Sequence, residues 1–478
     1  MKEVGIKKTM GAARFSLIRQ HFGESILMSM LSFFVAGAMV YVFLPEFNAI
    51  TQKTLTLNLW GVQTVWLIAI TIIAGIIAGS YPALYLSGFQ PATVLKGKFA
   101  GTFGENFARK GLVVFQFTLS IIFIVSIIVV YRQIEYVQSS NIGYDKEHIL
   151  YFNLSGALKK TENQELMISK IKELPGVENA SSIGHNLTGH NGGTWGVEWE
   201  GKDPEDRTEF ERFIINHDLI ETLGIKMAEG RSFSRDFGSD SLGIIFNEKG
   251  IEFMGMKDPI GKHVKLWGKE RKIIGVVRNF HYESLHETYK PLFMILDPNE
   301  TWHLMVRYTP GKEKDVIAAL TTLHHSLNPE FEFEFKFLDE QYRAQYASEQ
   351  RIATLSKYFG GMAILISCLG LFGLAAFTAE RRLKEIGIRK VLGSGQWAIV
   401  FLLARDFTMI VLIAIAIAVP VSYLTSVSWL NGFAFRIALQ PWYFVVAGAA
   451  ALIIAWITVG YQAIKASSVN PTQCLKSE

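Results

Sequence analysis

Six long apolar segments constrain this chain more than any other feature of its sequence. Each is close to the roughly 20 residues that a helix needs to cross a bilayer, and none has a basic residue at its centre. Helices in the core of a soluble protein seldom stay apolar on every face for this length. Half of the residues are hydrophobic and only 19% are charged, so the sequence predicts a polytopic membrane protein. The predicted spans are Ser25–Leu44, Val62–Leu84, Gly111–Tyr131, Leu355–Thr378, Phe407–Val427 and Trp442–Ala463.

The distribution of charge predicts the orientation of these spans. The segment Gln133–Gln350 has 25 Lys and Arg against 35 Asp and Glu, whereas the rest of the chain has 22 basic and 8 acidic residues. Basic residues concentrate in Lys2–Arg19, Lys96–Lys110 and Arg381–Arg405. Because basic clusters beside spans mark the cytoplasmic side, we expect both termini in the cytoplasm and the large acidic segment outside it.

A motif near the amino terminus recurs late in the chain. Lys2–Phe15 reads KEVGIKKTMGAARF and Lys384–Trp397 reads KEIGIRKVLGSGQW, at an offset of 382 residues. In each copy a basic segment leads to a span, a short outer loop, a second span and a tail. The tails, Leu86–Lys98 and Ala466–Glu478, also match at an offset of 380 residues. Repeats in register predict two pseudo-symmetric membrane halves.

The large segment outside the membrane has the pattern of an α+β domain. Asn186–Gly268, which is richer in glycine and polar residues, is predicted to be an inserted lobe, and Gln341–Lys357 a helix that runs into the fourth span. One β-α-β unit is expected on each side of the lobe. The first unit is predicted from a strand at His148–Ser155, a helix near Glu165–Glu173 and a turn and strand within Leu174–Gly184. The second is predicted from strands at His303–Tyr308 and Phe331–Asp339 with a helix at Asp315–Leu327, and Lys272–Phe280 has the pattern of a further buried strand.

The sequence gives no sign of an enzymatic site. Gly255–His263 comes nearest to a phosphate-binding loop, but its glycines are one residue too far apart, so a turn is expected. There is no Gly-x-Ser-x-Gly motif, no cysteine in the exported segment and no acidic or basic residue deep in a span. We therefore expect no catalytic residue, metal site or cofactor. Structural or solvated roles are expected for His185, His190, His217, His281, His286, His324 and His325.

The repeated basic motif is the strongest candidate for function. Basic residues beside a span can serve orientation alone, but orientation requires no fixed order of residues. Glu, Gly, Ile and a second Gly recur here in register, which favours a short amphipathic helix that docks into a groove of a cytoplasmic partner. The candidate docking residues are Lys2, Glu3, Gly5, Ile6, Lys8 and Gly11 in the first copy and Lys384, Glu385, Gly387, Ile388, Arg389, Lys390 and Gly393 in the second.

These motifs resemble a known family. Lys384–Ser394 (KEIGIRKVLGS), preceded by a span that ends in Phe377–Arg382 (FTAERR), resembles the signature of the FtsX/MacB-type permeases of ABC transporters. Leu219–Phe233, Asp258–Gly268 and Ile274–Glu287 fit the duplicated members of that family, and the resemblance covers essentially the whole chain. It implies an α-helical polytopic membrane protein of about six transmembrane helices. One large α+β periplasmic domain, with a porter-like β-α-β part and an inserted lobe, is also implied.

The resemblance also implies a function and partners. Such a permease is not itself an enzyme and binds no cofactor, because ATP is bound by a separate cytoplasmic ATPase that grips the two basic motifs. Motion would be relayed to the periplasmic domain by mechanotransmission, for export or extraction of a peptide, lipoprotein or amphipathic drug. The implied partners are the ATPase, a second permease chain, the lipid bilayer of the bacterial inner membrane and, for exporting members, a periplasmic adaptor or outer-membrane channel. No nucleic acid is implied.

Two alternatives stay open. A non-transporting transmembrane regulator would relay ATP-driven motion to a periplasmic hydrolase or sensor kinase. A membrane-anchored periplasmic enzyme would show activity or metal binding in the segment Gln133–Gln350. Duplicated members of the family carry a span, a periplasmic domain and another span before the first motif, so the first repeat is expected to be partial. The predicted divisions are 1–110 (first permease repeat), 111–132 (transmembrane helix), 133–354 (periplasmic domain) and 355–478 (second permease repeat).

Overall fold

The computed structural model describes residues 7, 10–58, 61–81, 83, 103–189 and 192–468. Its helices are α1 (Arg14–Thr51), α2 (Val62–Tyr81), α3 (Phe103–Ser139), α4 (Thr161–Lys172), α5 (Leu219–Leu223), α6 (Glu248–Met254), α7 (Glu313–Leu327), α8 (Leu338–Ala344), α9 (Ala347–Arg381), α10 (Leu383–Val391), α11 (Gln396–Leu430) and α12 (Pro441–Ser468). Its strands are β1 (Ile149–Asn153), β2 (Val177–Ile183), β3 (Gly193–Thr194), β4 (Val197–Glu198), β5 (Phe210–Ile215), β6 (Met227–Gly230), β7 (Gly243–Asn247), β8 (His263–Leu266), β9 (Lys269–Val277), β10 (Leu292–Leu296), β11 (His303–Tyr308) and β12 (Phe335–Phe337).

Six of these helices are long and apolar enough to cross a membrane: α1, α2, α3, α9, α11 and α12. Apart from Ala83, the described part of each predicted apolar run lies within one of them, so the predicted six-helix membrane fold is confirmed. Pro420 lies inside α11, and the helix nevertheless continues to Leu430. Proline removes one helical hydrogen bond, which a long apolar helix tolerates because the remaining bonds hold its backbone.

The chain divides into two compact units. The first contains residues 1–127, 351–422 and 444–478, and therefore most of the apolar helices. The second contains residues 128–350 and 423–443. It therefore joins the segment Gln133–Gln350, which we call the exported domain, to the segment that connects α11 and α12. The division into four segments drawn from the sequence stays a prediction.

One mixed sheet forms the framework of the exported domain. Its strand order is β12-β1-β11-β2-β5-β10-β7-β9-β8-β4, with β3 beside β5 and β6 beside β9. Strands β5 and β10 are parallel, as are β7 and β9, and the other pairs are antiparallel. Helices α4 and α7 cover one face of β1, β2 and β11 with a shared apolar core. The β1-α4-β2 and β11-α7-β12 units confirm the predicted porter-like arrangement.

The last strand is shorter than its alternating sequence predicts. Only Phe335–Phe337 pair with β1, opposite Leu150–Phe152. Phe333, two residues earlier, instead packs edge-on against Phe152 with ring centres 5.1 Å apart, and lies 5.2 Å from His324. Burial of that ring in the core under α7 ends the strand pairing.

The predicted helix Gln341–Lys357 is wrong as a single element. Instead α8 ends at Ala344 and α9 begins at Ala347. The Tyr346 amide bonds to the Arg343 carbonyl, three residues back, which tightens the chain between the two helices. Tyr346 is 1% exposed, and its hydroxyl accepts a hydrogen bond from the Leu285 amide at 2.8 Å. Burial of this tyrosine explains the break.

Within the first unit, α3 and α9 meet along a seam of small residues. The hydroxyls of Ser120 and Ser367 lie 3.0 Å apart, and both serines are buried. Gly370 faces Gln116, and a Cβ on Gly370 would lie 2.4 Å from the Gln116 Oε1. Small residues allow helices in a membrane to approach closely, and paired hydroxyls satisfy their hydrogen bonds there.

The structure places the two copies of the repeated motif in the same register. Gly11 and Gly393, 382 residues apart, have φ angles of 92° and 89°. At the first glycine the Ala12 amide bonds to the Lys7 carbonyl, and at the second the Ser394 amide bonds to the Arg389 carbonyl, both at 2.9 Å. A glycine at the end of a helix makes this hydrogen bond, and α10 is the helix that precedes Gly393. Helices α1 and α11 then begin at the same offset.

Candidate functional site

The second copy of the motif folds into α10, a short helix with one anchored face. Ile386 is 2% exposed, and the neighbouring Gly387 is buried. The apolar residues around Ile386 come from α9, α11 and α12, so three long helices hold this face in place. They are Ala379, Ile399, Leu403, Ala463 and Ala466.

The opposite face of α10 is open and combines apolar with charged side chains. Ile388 is 52% exposed, and beyond the helix Leu392 and Trp397 are 79% and 78% exposed. Glu385 and Arg389 lie one turn apart on the same face, with Arg389 Nη2 3.0 Å from Glu385 Oε1. Exposed apolar side chains bordered by charges are typical of surfaces that bind another protein.

Two basic side chains at α10 bind the chain itself. Lys390 Nζ donates to the Ser467 carbonyl at 2.8 Å, in the last turn of α12, where the helix dipole favours a cation. Arg382 Nη2 donates to Asp406 Oδ2 at 2.8 Å and ties the end of α9 to α11. Lys390, which the sequence suggested as a docking residue, is therefore engaged within its own unit in this structure.

The structure brings only part of the predicted docking set together. Glu385, Ile388 and Arg389 share the open face of α10, and Gly393 turns the chain from α10 towards α11. In the first copy Gly11 occupies the matching turn before α1. The backbone of Lys384 lies in the first turn of α10. The remaining first-copy residues lie outside the described part of the chain: Lys2, Glu3, Gly5, Ile6 and Lys8.

A second contact region lies at the opposite ends of α11 and α12. Residues 431–440, which we call the outer loop, connect these helices and pack within the exported unit. Gln133 of α3, which has no exposed surface, holds the loop with both ends of its amide. Its Nε2 donates to the Phe435 carbonyl, and its Oε1 accepts from the Ile437 amide, each at 2.9 Å.

Main-chain hydrogen bonds add to this attachment. The amide of Ala434 donates to the His286 carbonyl at 3.3 Å, and the amide of Phe435 donates to the Leu285 carbonyl at 3.2 Å. The outer loop therefore runs beside residues 285–286 and is held there by two main-chain hydrogen bonds. Such bonds fix the position of the loop backbone whatever its side chains are.

Histidine and phenylalanine rings complete the contact. His286 stacks on Phe433 with ring centres 3.9 Å apart. Its Nδ1 lies 2.6 Å from the Gly432 carbonyl, and its Nε2 lies 3.3 Å from Glu349 Oε1. Phe435 meets the ring of His281 edge-on at 4.4 Å. His286 thus connects the outer loop to α9, and the ring of His281 packs against Phe435 of the loop.

Burial keeps His281 neutral. Its side chain is 5% exposed and stacks on Tyr289 with ring centres 4.1 Å apart. Desolvation lowers the pKa of His281 from its ordinary value to about 4, because the charged imidazolium loses its water in this apolar setting. The imidazole is therefore an uncharged packing element at neutral pH.

Sequence reasoning assigned His281 and His286 only general structural roles and did not identify Gln133, Phe433 or Phe435. The available signal was weak: two phenylalanines in a short connecting loop and one glutamine at the end of an apolar run. Within the described residues, no group of three or more His, Cys, Asp or Glu side chains could hold a metal ion. The contact described above consists of hydrogen bonds and ring packing.

Comparisons with known proteins point to membrane permeases. Residues 358–471 match the family described as FtsX-like permease C-terminal. A macrolide export ATP-binding/permease protein, MacB, from Chromobacterium violaceum is 23% identical over 55% of this chain and 43% of its own length. An uncharacterised ABC transporter permease, YknZ, from Bacillus subtilis is 22% identical over 55% of this chain and 69% of its own length. The chain thus matches less than half the length of the first relative.

Solved structures with some likeness are the periplasmic region of MacB from Actinobacillus actinomycetemcomitans and the extracellular domain of YknZ. They are 13% and 18% identical and cover 43% and 39% of this chain, and 96% and 97% of their own chains. The TM-scores are 0.31 and 0.29. The resemblance drawn from the sequence is confirmed: residues 358–471 form an FtsX-like permease domain, and the chain is related to both permeases.

Proposed function

We propose that this chain, with its FtsX-like domain at residues 358–471, is the membrane subunit of an ABC transporter whose ATPase is a separate cytoplasmic protein. The observation that carries the proposal is the two-faced helix α10. Its buried face binds three apolar helices, while Glu385, Ile388 and Arg389 face solvent. A helix with these two faces can transmit the movement of a docked partner to the helices that hold its buried face.

The proposed route from α10 to the exported domain follows α11. Ile399 and Leu403, which hold Ile386, lie in the first turns of α11, and the same helix leads along the chain into the outer loop. The outer loop is bonded to Gln133 and to residues 285–286 of the exported unit. Movement of α11 would therefore pull on the exported domain directly, which is the action expected of a mechanotransmission permease.

For the substrate we propose a peptide, lipoprotein or amphipathic drug that is exported or extracted on the outer side of a bacterial inner membrane. The proposed assembly also contains a second permease chain, and an adaptor or outer-membrane channel where export crosses a second membrane. The proposed orientation keeps α10 in the cytoplasm and the exported domain outside.

The test exchanges two charges without breaking the helix. In the double variant Glu385→Arg and Arg389→Glu, the ion pair one turn apart is kept with its polarity reversed, so α10 is expected to remain folded. Because the charges offered to a partner are inverted, the ATPase that co-purifies with the tagged full-length chain should be reduced at least tenfold, and stimulated ATP hydrolysis should fall with it.

The control exchanges a similar exposed pair in the exported domain. In Lys249→Glu with Glu252→Lys, whose charged atoms lie 3.1 Å apart, ATPase recovery should equal that of the unaltered chain. Undiminished ATPase binding and stimulation in the α10 variant would remove the coupling role proposed for this helix.

A further inference from the structure

A small cavity lies among α3, α9 and α11, at the end of α9 that leads into α10. Its volume is about 290 Å³, and most of its wall is apolar and comes from α9 and α11. We call it the basic pocket, because its charged lining residues are three cations and one acid: Lys110, Arg381, Arg382 and Asp406. The cavity therefore combines an excess of positive charge with an apolar wall.

The sequence of α9 explains why apolar and basic groups meet here. Leu374, Phe377, Thr378 and Arg381 follow the spacing i, i+3, i+4 and i+7, which places them on one face of the helix. The first three belong to a predicted span, which ends at Thr378, and Arg381 follows almost one turn later. The basic pocket thus lies across the predicted end of the span, where the hydrocarbon of a bilayer gives way to its headgroups.

Helices α3 and α11 divide in the same way. On α11, Phe407 and Ile410 are 3% and 4% exposed and belong to the apolar wall, while Asp406 directly precedes the predicted span. On α3, Lys110 directly precedes the span predicted to begin at Gly111, and its side chain is exposed. All three helices therefore place a charged lining residue just beyond an apolar segment.

The charges of the basic pocket do not balance within it. Arg382 Nη2 donates to Asp406 Oδ2 at 2.8 Å, so the acidic residue is already engaged. The guanidinium carbon of Arg381 lies 5.6 Å from the centre of the Phe377 ring. Lys110 and Arg381 are exposed, and the described lining residues supply no second carboxylate. Two cations therefore remain available to an anion that enters the pocket.

We propose that the basic pocket binds the anionic headgroup of a phospholipid from the leaflet on the α10 side of the membrane. Lys110 and Arg381 would donate charge-assisted hydrogen bonds to its phosphate oxygens. The adjoining acyl chain would contact Leu374 and Phe377. A free phosphate would use only the charged part of the cavity, whereas a phospholipid uses both parts. Basic pockets between transmembrane helices are typical sites for such headgroups.

The first test measures lipid binding to the purified full-length chain in detergent. No ATPase is present, so the outcome is independent of the coupling role proposed for α10. The Tm is followed while phosphatidylglycerol or phosphatidylcholine with the same acyl chains is added, because a ligand of the folded chain raises its Tm. Phosphatidylglycerol should reach its half-maximal shift at a concentration about tenfold lower than phosphatidylcholine. Equal half-maximal concentrations would contradict the proposal.

Inorganic phosphate distinguishes a lipid site from a site for a free anion. Added alone to the unaltered chain, it should leave the Tm almost unchanged, because it cannot use the apolar wall of the basic pocket. A shift as large as that produced by phosphatidylglycerol would assign the cavity to free phosphate and overturn the lipid proposal.

Two double variants locate the binding. Lys110→Gln with Arg381→Gln removes the two available cations and should raise the half-maximal phosphatidylglycerol concentration about tenfold. Arg405→Gln with Lys465→Gln is the matched control, since it removes two exposed basic side chains near the same ends of α11 and α12 that do not line the basic pocket. This control should leave the half-maximal concentration unchanged. An equal rise in both variants would show general attraction to a basic surface and would overturn the proposal.

The second test identifies the occupant in the native membrane. A photoreactive amino acid replaces Leu374 of the basic pocket in the full-length chain. Its control is at Leu369, which is 72% exposed and lies five residues earlier on another side of α9. The Leu374 probe should give adducts enriched in anionic phospholipid over those at Leu369. Adducts to a protein at Leu374, or the same headgroup composition at both positions, would refute the proposed occupant.

Discussion

At the scale of single residues, the two glycine turns show how strictly the repeat is preserved. Gly11 and Gly393 adopt φ angles that other residues rarely take, and each ends a basic segment just before a long helix. The printed sequence already pairs these glycines. Their conformation could be inferred because a glycine that follows a helix with a basic last turn is a common helix end.

Replacement of Gly393 by alanine should strain the turn between α10 and α11. A side chain in the left-handed region costs about 1–2 kcal/mol per residue, although no atom lies within 4 Å of the new Cβ position. Gly393→Ala should therefore lower the Tm of the purified chain and weaken ATPase recovery. The control is Gly395→Ala, which is equally open but has no positive φ. Equal Tm values for the two variants would contradict this account.

A buried histidine makes the attachment of the outer loop sensitive to acid. The pKa of His281 in the folded chain, about 4, lies below its ordinary value of 6.5 because of burial, so the unfolded chain binds the proton more readily. The stability that this group contributes is present above about pH 6.5 and is lost as the pH falls towards 4. Burial lowers the pKa of His185 to about 4 as well, and it also lowers the pKa of His217, His303 and His324, so several histidines contribute to the acid sensitivity.

His281→Phe keeps a ring between Tyr289 and Phe435 but cannot titrate. This variant should therefore reduce, in part, the dependence of the Tm on pH. The measurement is the Tm of the full-length protein in detergent between pH 7.5 and pH 4.5. The unaltered chain and the exposed control His263→Phe should lose more Tm over this range than His281→Phe. An identical loss in all three proteins would exclude His281 as a source of the acid sensitivity.

At the scale of elements, the outer loop depends on one buried glutamine. Gln133→Leu removes two hydrogen bonds and leaves the Phe435 carbonyl and the Ile437 amide without this partner, which costs about 1–3 kcal/mol. Amide hydrogen exchange in residues 431–440 should become about tenfold faster. Gln138→Leu, on the same helix but with only its main-chain carbonyl engaged by Lys146, should leave exchange in the loop unchanged. Unaltered exchange in Gln133→Leu would argue against the role given to this side chain.

Elements with strong periodicity were predictable, and contacts between distant segments were not. The apolar runs gave the six long helices, and β-branched or aromatic runs gave β1, β2, β9 and β11. The break before Ala347 was not predictable, because it depends on burial of Tyr346 against Leu285, which lies far away in the sequence. The engagement of Lys390 by α12 and of the outer loop by Gln133 likewise depends on residues that only the fold brings together.

At the scale of the whole molecule, the duplication is unequal. The second repeat has α3 and α9 packed on α11 and the exported domain bonded to its outer loop. In the first repeat α1 packs on α2, and a groove of about 700 Å³ between them is open as far as the described residues go. A sequence comparison of the repeats establishes the correspondence of positions, but the packing of each repeat is visible only in the structure.

The proposed orientation can be tested with single cysteines. In a chain with Cys368→Ser and Cys474→Ser, the exposed positions Lys53→Cys and Glu178→Cys should react with a membrane-impermeant maleimide in intact spheroplasts. Gly395→Cys, beside α10, should react only after lysis, because basic residues keep that end in the cytoplasm. Reaction at Gly395→Cys before lysis would reverse the orientation.

The serine pair between α3 and α9 has a consequence for movement within the membrane. Ser367 Oγ lies 2.8 Å from the Ala363 carbonyl of its own helix as well as 3.0 Å from Ser120 Oγ. If α3 slides along α9, the hydroxyl of Ser367 keeps the Ala363 carbonyl as its partner at every point of the displacement, so Ser367 adds no unpaired polar group to the membrane interior. We therefore expect α3 and α9 to stay in contact along this seam while one helix moves relative to the other.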